Sequence, residues 1–242
     1  AILLADSFKR TFVPVAFETP NVLLPLVNVP MLEYTLEFLS QNGVEEVFIF
    51  CVWHAAMIRE YLSTSKWETI LSVRCITSSA CTSPGDALRE LDTMGIVRSD
   101  PFILISGDVV SNMNLQKAID FHKEGRKKDS QAIMTVVMKT VQKRSGIKPI
   151  TDDLVVAFDS ESKQMLLFED DFRKSTVSLP AEIIQEHPNI DFKTSVLDCH
   201  VDICSPELLL QFSDNFDYQD IRRHFIENEV VNWELGMHVY FS

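Results

Sequence analysis

The sequence has 242 residues, of which 46% are hydrophobic, and its 22 Lys and Arg against 35 Asp and Glu give a formal net charge of −13. This charge argues against nonspecific binding to nucleic acid or to anionic membranes, because both need a positive protein surface. The seven glycines, none closer than ten residues to the next, exclude the usual phosphate loops, which need clustered glycines to bring backbone N–H groups to the ligand.

The first half of the sequence alternates strand and helix patterns. Near-continuous apolar runs predict buried strands, and apolar residues at i, i+4 and i+7 predict helices. The predicted strands are 2–5, 47–52, 70–77, 102–106 and 132–138, and the predicted helices are 31–42, 54–65, a helix starting at Ser83-Pro84-Gly85-Asp86 and one capped by Asn114. This alternation predicts an α/β fold of three layers, a mostly parallel sheet with helices on both faces.

The second half is more varied, but no linker rich in Gly, Ser or Pro divides the chain. We therefore expect a single domain over residues 1–242 with an elaborated second half. The pattern predicts a loop over 141–153, a hairpin of 154–159 with 164–169, irregular structure over 171–192, strands over 197–204 and 237–241, and helices from Ser205 and over 218–225. The sequence begins without Met and ends directly after a strand-like segment, so we expect it to be a piece of a longer protein.

Cysteine and histidine usage predicts neither a disulfide framework nor a metal site. The five cysteines are odd in number and form no C-x-x-C pair, which is typical of free buried thiols in a reducing compartment. The six histidines have no metal-ligand spacing, and His122 is predicted to be a hydrogen-bonded core residue. No apolar run approaches the roughly 20 residues of a membrane helix, and no metal or cofactor is expected.

Two strand ends carry a family resemblance. Ligands bind at the carboxyl ends of strands in parallel α/β sheets, and the strand over 2–5 is followed by Ala5-Asp-Ser-Phe-Lys-Arg-Thr-Phe-Val-Pro14 and Pro20-Asn-Val-Leu-Leu-Pro-Leu-Val-Asn-Val-Pro30. This order resembles the sugar-nucleotide pyrophosphorylase family, whose members join a sugar 1-phosphate to a nucleoside triphosphate. Gly107-Asp108 is similar to the Gly-Asp at which that family binds magnesium.

The positions that handle phosphate depart from the family pattern. Asp6, Ser7 and Lys9 stand where the family has glycine, Thr11 stands at its phosphate-contacting arginine with Arg10 one place earlier, and Asn21 stands at its lysine. The family contacts its sugar with Glu-Lys-Pro, and the similar segment here is Glu169-Asp170-Asp171, which has an anion in place of the lysine. The family's W-x-D-x-G segment is not found; the nearest string is Trp233-Glu234-Leu235-Gly236. Phosphoryl transfer depends on positioned cations and backbone donors. We therefore predict a non-catalytic site.

Six strings in order resemble one subfamily more closely, the epsilon subunits of eukaryotic translation initiation factor two-B. They are Ala5-Asp-Ser-Phe8, Pro20-Asn-Val-Leu-Leu-Pro-Leu26, Leu36-Glu-Phe-Leu39, Ser106-Gly-Asp-Val109, Leu197-Asp-Cys-His-Val201 and Asp214-Asn-Phe-Asp-Tyr-Gln219. The resemblance implies a cytosolic complex that exchanges GDP for GTP on the GTPase carrying initiator tRNA. It further implies packing against a gamma subunit in a two-fold decamer, and a following β-helix and helical exchange domain.

One pair, Asn215-Phe216, is the candidate contact with the GTPase that this resemblance implies. From the residues alone, the pair is more typical of a structural turn after a helix, with Phe216 buried beneath it. Two other functions stay open. The chain could be an active pyrophosphorylase that uses Lys9 and Arg10 with magnesium at Asp108, or a purely structural assembly subunit without a GTPase contact.

Overall fold

A seven-stranded sheet forms the centre of the fold in the computed structural model, which describes residues 1–6, 8, 15, 18–141, 154–170, 176–232 and 237–241. In chain order its elements are β1 (Ile2–Leu4), β2 (Pro25–Leu26), β3 (Val29–Pro30), α1 (Met31–Gln41), β4 (Glu46–Cys51), α2 (Ala55–Thr64), α3 (Trp67–Ile70), β5 (Ser72–Thr77), α4 (Pro84–Met94), β6 (Phe102–Ser106), α5 (Gln116–Lys128), β7 (Ala132–Thr140), β8 (Val155–Asp159), β9 (Met165–Glu169), α6 (Ala181–Glu186), β10 (Ile190–Lys193), β11 (Val196–Cys204), α7 (Glu207–Asp214), a π-helical turn (Ile221–Ile226), α8 (Glu227–Val231) and β12 (His238–Phe241).

The strand order of this sheet is β12-β7-β11-β6-β1-β4-β5. Every neighbouring pair is parallel except the two pairs that β11 makes with β6 and β7. The mostly parallel sheet is therefore confirmed. The central strand β1 pairs with β4 on one side and β6 on the other, which brings the carboxyl ends of these three strands to one edge.

Side chains of β1 point alternately into two separate cores, as the twofold period of a strand requires. Ile2 and Leu4 belong to the core under α4, α7 and the π-helical turn, whereas Leu3 and Ala5 belong to the core under α1, α2, α3 and α5. Both faces of the sheet are thus covered by helices, and the three-layer prediction is confirmed. None of the helices in the described ranges is long and apolar enough to cross a membrane.

Helix α4 begins as its sequence predicts. The Ser83 hydroxyl accepts a hydrogen bond from the Asp86 backbone N–H at 3.1 Å, and Pro84 occupies the first turn, where its missing N–H costs nothing. At the other end, Gly95 adopts the left-handed conformation typical of a helix C-terminus. Ser83 and Pro84 at this helix start also line a cavity at the strand ends.

Two predictions for the local structure are wrong. The strand predicted over 70–77 begins only at Ser72, because residues 67–70 form helix α3, whose Trp67 is fully buried in the core under α1, α2, α3 and α5. The segment predicted as irregular over 171–192 contains α6 and β10, and β10 pairs antiparallel with β8. That pairing depends on a partner strand more than 30 residues earlier, which a local pattern does not encode. Most of the predicted loop over 141–153 lies outside the described residues.

His122 is confirmed as a hydrogen-bonded core residue. Its Nδ1 lies 2.9 Å from the Thr135 hydroxyl and its Nε2 lies 3.0 Å from the Ser205 hydroxyl. Burial lowers the pKa of this imidazole to about 4, because the charged form would lose its hydration. His122 therefore joins α5 to β7 as a neutral side chain.

Candidate functional site

A cavity of about 720 Å³ opens at the carboxyl ends of β1 and β6. Its other walls are the start of α4, the end of β9, strand β11 and the π-helical turn. Acidic side chains dominate its described lining, which includes Asp6, Asp108, Asp170, Asp198, Asp202 and Asp220. This is the edge at which open α/β sheets bind their ligands.

Asp6 serves as an anchor between two strand ends. Its carboxylate accepts hydrogen bonds from the backbone N–H groups of Val52 at 2.5 Å and Trp53 at 3.4 Å. Burial raises the pKa of this carboxyl, although both backbone donors oppose the shift. Asp6 thus ties the start of the first loop to the end of β4. The neighbouring predicted positions, Ser7, Lys9, Arg10 and Thr11, lie outside the described residues.

The Gly107-Asp108 pair follows β6, and close packing accounts for the glycine at position 107. The Gly107 N–H donates to the Leu4 carbonyl at 2.8 Å, and an added Cβ would lie 2.5 Å from Cγ1 of Val22. Gly107 is therefore required by close packing of the β6 end against β1. Asp108 is exposed and lines the cavity. Asn21 lies in the short helical turn 21–23 and is not among the described residues that line it.

A buried ion cluster of Arg222, Asp198 and Asp202 fills one wall of the cavity; we call it the Arg222 cluster. The guanidinium donates to Asp198 at 2.5 and 3.0 Å and to Asp202 at 2.8 and 3.0 Å. Burial alone would raise the pKa of Asp198, but the charge of Arg222 holds this pKa at about 2. The guanidinium is thus committed to two carboxylates. Sequence reasoning missed this cluster; the available signal was two aspartates within a mostly apolar strand.

The second arginine of the described lining is also paired. Arg223 donates from Nε to the Asp170 carboxylate at 3.0 Å, and its side chain is 64% exposed. Asp171, the next position of the predicted sugar contact, lies outside the described residues. Among the described lining residues, six carboxylates therefore face two guanidiniums that are already engaged. Such a lining disfavours a triphosphate, whose transfer depends on unengaged cations.

Asn215 and Phe216 lie in a tight turn that follows α7, which we call the 215–218 turn. The Asn215 side-chain oxygen accepts from the Asp217 N–H at 3.1 Å, the usual arrangement of an Asx turn. The predicted turn is therefore present, but Phe216 is not buried beneath it, because its side chain is 72% exposed.

Arg89 of α4 holds the 215–218 turn in place. One guanidinium nitrogen donates to the carbonyls of Phe212 at 3.1 Å, Asn215 at 3.4 Å and Tyr218 at 3.2 Å. The other donates to Asp86 at 2.7 Å, and the guanidinium lies 5.4 Å from the centroid of the Phe216 ring, within cation–π range. Sequence reasoning missed Arg89; the only local signal was its i, i+3 spacing from Asp86.

Gly85 brings the start of α4 into backbone contact with the same turn. Its N–H donates to the Gln219 carbonyl at 3.1 Å, and an added Cβ would lie 1.9 Å from the Tyr218 carbonyl oxygen. The Ser83 hydroxyl adds a hydrogen bond to the Gln219 side chain. The first turn of α4 therefore forms part of the cavity wall and also fixes the surface turn that displays Phe216.

Known proteins are similar to this chain in both sequence and architecture. A family model described as nucleotidyl transferase matches residues 1–157. The chain is 44% identical over 99% of its length to the translation initiation factor eIF2B subunit epsilon of Dictyostelium discoideum, and 41% identical over 99% to that of Schizosaccharomyces pombe. It spans 34% and 36% of these relatives, about a third of each.

Solved structures support the fold independently of the sequence match. The crystal structure of HddC from Yersinia pseudotuberculosis superposes with a TM-score of 0.68 at 14% identity, covering 100% of this chain and 88% of that one. At this identity the likeness concerns the fold alone. With the family model covering well over half of the chain, and with the central parallel sheet and the cavity at its strand ends, the chain belongs to the nucleotidyl transferase family.

Proposed function

We propose that this chain is a non-catalytic nucleotidyltransferase-like domain of an epsilon-type subunit, within the guanine-nucleotide exchange factor that reactivates the initiator-tRNA-carrying GTPase. The names of its curated relatives support the subunit assignment. The acidic cavity supports the loss of catalysis, because its described cations are engaged by carboxylates. In this proposal the domain assembles with the gamma subunit in the cytosol and contacts the GTPase directly.

The main support for a contact with the GTPase is the exposed ring of Phe216, on a turn that Arg89 holds in place. A large aromatic ring that stays in water while its backbone is held by Arg89 is typical of an interface hot spot. Because Arg89 already orders the 215–218 turn, little conformational entropy remains to be lost when a partner binds. Asn215 is engaged within the turn and supports the position of the ring.

The charge around Phe216 indicates the kind of surface that it meets. Asp214 and Asp217 flank the pair and are exposed, and the chain as a whole carries a net charge of −13. Complementary charge promotes encounter and orients partners. We therefore expect the GTPase to present basic residues around an apolar pocket for the phenyl ring.

Replacing Phe216 with alanine tests this contact. In the assembled exchange factor, Phe216→Ala should slow GDP release by about tenfold or more, since hot-spot truncations cost about 2 kcal/mol. The measurement is release of a fluorescent GDP analogue from the GTPase, with assembly checked by size-exclusion chromatography. Phe192→Ala is the matched control, because Phe192 of β10 is 59% exposed and lies outside the turn.

The outcome also separates the proposal from a purely structural subunit. If Phe216→Ala leaves both assembly and the rate of GDP release unchanged, the domain serves assembly without a GTPase contact. If Phe192→Ala slows release as much as Phe216→Ala does, the effect is not specific to the 215–218 turn and the proposed contact is wrong.

A second candidate is an active sugar-1-phosphate nucleotidyltransferase. Exposed Asp108 on a cavity of about 720 Å³ favours it, because that volume accepts a nucleotide-sized ligand. In this alternative, Lys9 and Arg10 would have to supply the charge that the described lining does not. The turnover measurement that closes the Discussion separates the two functions.

A further inference from the structure

Two cysteines meet near the edge of the central sheet, in the neighbouring strands β4 and β5. Cys51 ends β4 and Cys75 lies in β5, and the parallel register pairs Cys51 with Thr77 and Ile49 with Cys75. The two cysteines are therefore offset by two residues in register, so their side chains lie on the same face of the sheet. Both contact the core under α1, α2, α3 and α5. Their sulfur atoms lie 3.3 Å apart, close enough for one thiol to donate to the other.

The two thiols differ in exposure and in environment. Cys51 is fully buried, whereas Cys75 is partly exposed, because β5 is the edge strand and β4 is its one neighbour among the strands that the structure describes. Arg59 of α2 reaches the same place and donates to the Thr77 hydroxyl at 3.0 Å. Cysteines that are partly exposed and lie near a positive charge are the reactive ones, whereas buried structural cysteines are inert.

The pKa values of the two thiols shift in opposite directions. The thiol of Cys51, followed by the charge of Arg59, lowers the pKa of Cys75 to about 7. The same contact, together with burial, raises the pKa of Cys51. Burial raises the pKa of Cys199, the other partly exposed cysteine. Cys75 is therefore the better nucleophile of the pair, and Cys199 provides an internal reference.

We propose that Cys51 and Cys75 form an oxidisable dithiol, a modification site that a hydroperoxide converts to a disulfide and that a small-molecule thiol reduces back to two thiols by exchange. The Cys75 thiolate attacks the peroxide, forming an S–O bond and breaking the O–O bond, and the departing hydroxide takes up a proton to become water. The Cys51 sulfur then attacks the sulfenic sulfur of Cys75, its proton leaves with the hydroxyl as a second water, and the S–S bond forms. Overall, two thiols are oxidised and one peroxide is reduced.

The position of the pair permits this step. A disulfide needs the sulfur atoms about 2.05 Å apart, a little over 1 Å nearer than the present contact. Strand β5 can supply the movement because its other edge carries no neighbouring strand within the described sheet. The free thiols predicted for a reducing compartment fit this chemistry, since disulfides there are mostly transient and redox-sensing.

Peptide mapping of the full chain tests the dithiol. After brief exposure to a few equivalents of hydrogen peroxide, we expect a cross-linked Cys51–Cys75 peptide that disappears on reduction. Before oxidation, iodoacetamide should alkylate Cys75 at least about tenfold faster than Cys199, as its larger thiolate fraction requires. Equal alkylation rates, or peroxide treatment that yields only sulfinic acid at Cys75, would overturn the proposal.

Variants assign the two roles. In Cys51→Ala, Cys75 should accumulate a sulfenic acid that dimedone traps, whereas Cys75→Ala should leave Cys51 unoxidised at the same dose. Cys199→Ala is the matched control and should leave the cross-link unchanged. Loss of the cross-link in Cys199→Ala would contradict the assignment, and the wild-type alkylation rates keep the test valid if a variant is unstable.

Discussion

Replacing Arg222 with methionine is expected to lower the free energy of unfolding by about 3–5 kcal/mol, the usual cost of removing one partner from a buried ion cluster. Methionine keeps most of the side-chain volume but leaves Asp198 and Asp202 without the guanidinium that now bonds both. Asp202 is almost completely buried, so water cannot replace the lost donor without opening the cavity wall. Urea denaturation at neutral pH measures the change.

The adjacent arginine provides the control for this experiment. Arg223 makes a similar ion pair with Asp170, but its side chain is 64% exposed, so Arg223→Met should cost no more than about 1 kcal/mol. Neutralising both carboxylates in the Arg222→Met background, by Asp198→Asn and Asp202→Asn, should recover part of the loss because no unpaired charge remains. Equal, small losses for Arg222→Met and Arg223→Met would contradict the structural role of the cluster.

Replacing Gly85 with alanine is expected to displace the 215–218 turn. The new Cβ would lie 1.9 Å from the Tyr218 carbonyl oxygen and 3.0 Å from Cα of Gln219, and both atoms belong to the backbone. Overpacking of this kind costs about 1–3 kcal/mol. Because the same backbone carries Phe216, Gly85→Ala should also slow GDP release in the assembled exchange factor, although Gly85 need not touch the partner.

A second glycine separates this effect from a general response to alanine. Gly125 lies inside α5, and a Cβ there meets nothing within 4 Å. Gly125→Ala should therefore raise stability by about 0.5–1 kcal/mol, because alanine loses less backbone entropy in a helix. Denaturation and GDP release are measured on both variants. Normal stability with normal release in Gly85→Ala would contradict the link between α4 and the turn.

The parts of the fold that could be predicted are those whose signal is local. The core strands β1, β4 and β6 are buried on both faces, so their sequences are continuous apolar runs, and Ser83-Pro84 marks the start of α4. Elements whose stability comes from distant partners were missed, as β10 illustrates, because its pairing with β8 joins segments far apart in the chain.

The same distinction applies to the candidate site. The aspartates at the strand ends could be predicted, because ligands bind at that edge of a parallel sheet. Arg89 and Arg222 could not, since Arg89 bonds a carbonyl 129 residues away and the aspartates of Arg222 lie on another element. The exposure of Phe216 likewise follows from how α4 holds the turn, which no property of Asn215-Phe216 itself reveals.

The scarcity of glycine acquires a structural meaning at two of the positions that keep it. Gly107 lets the end of β6 approach β1, and Gly85 lets α4 approach the 215–218 turn. Both glycines serve contacts between backbone segments within the protein. The positions at which the pyrophosphorylase pattern has glycine for a phosphate carry Asp6, Ser7 and Lys9 instead. This contrast supports the proposal that the fold is retained while its means of binding a triphosphate is altered.

Formation of pyrophosphate tests the loss of catalysis most directly. The full chain is incubated with magnesium, a nucleoside triphosphate and a sugar 1-phosphate, using GTP with mannose 1-phosphate and UTP with glucose 1-phosphate as substrates. We predict that pyrophosphate forms no faster than in the absence of protein. Steady formation of a sugar nucleotide that is abolished by Asp108→Asn would contradict this account and establish an active nucleotidyltransferase.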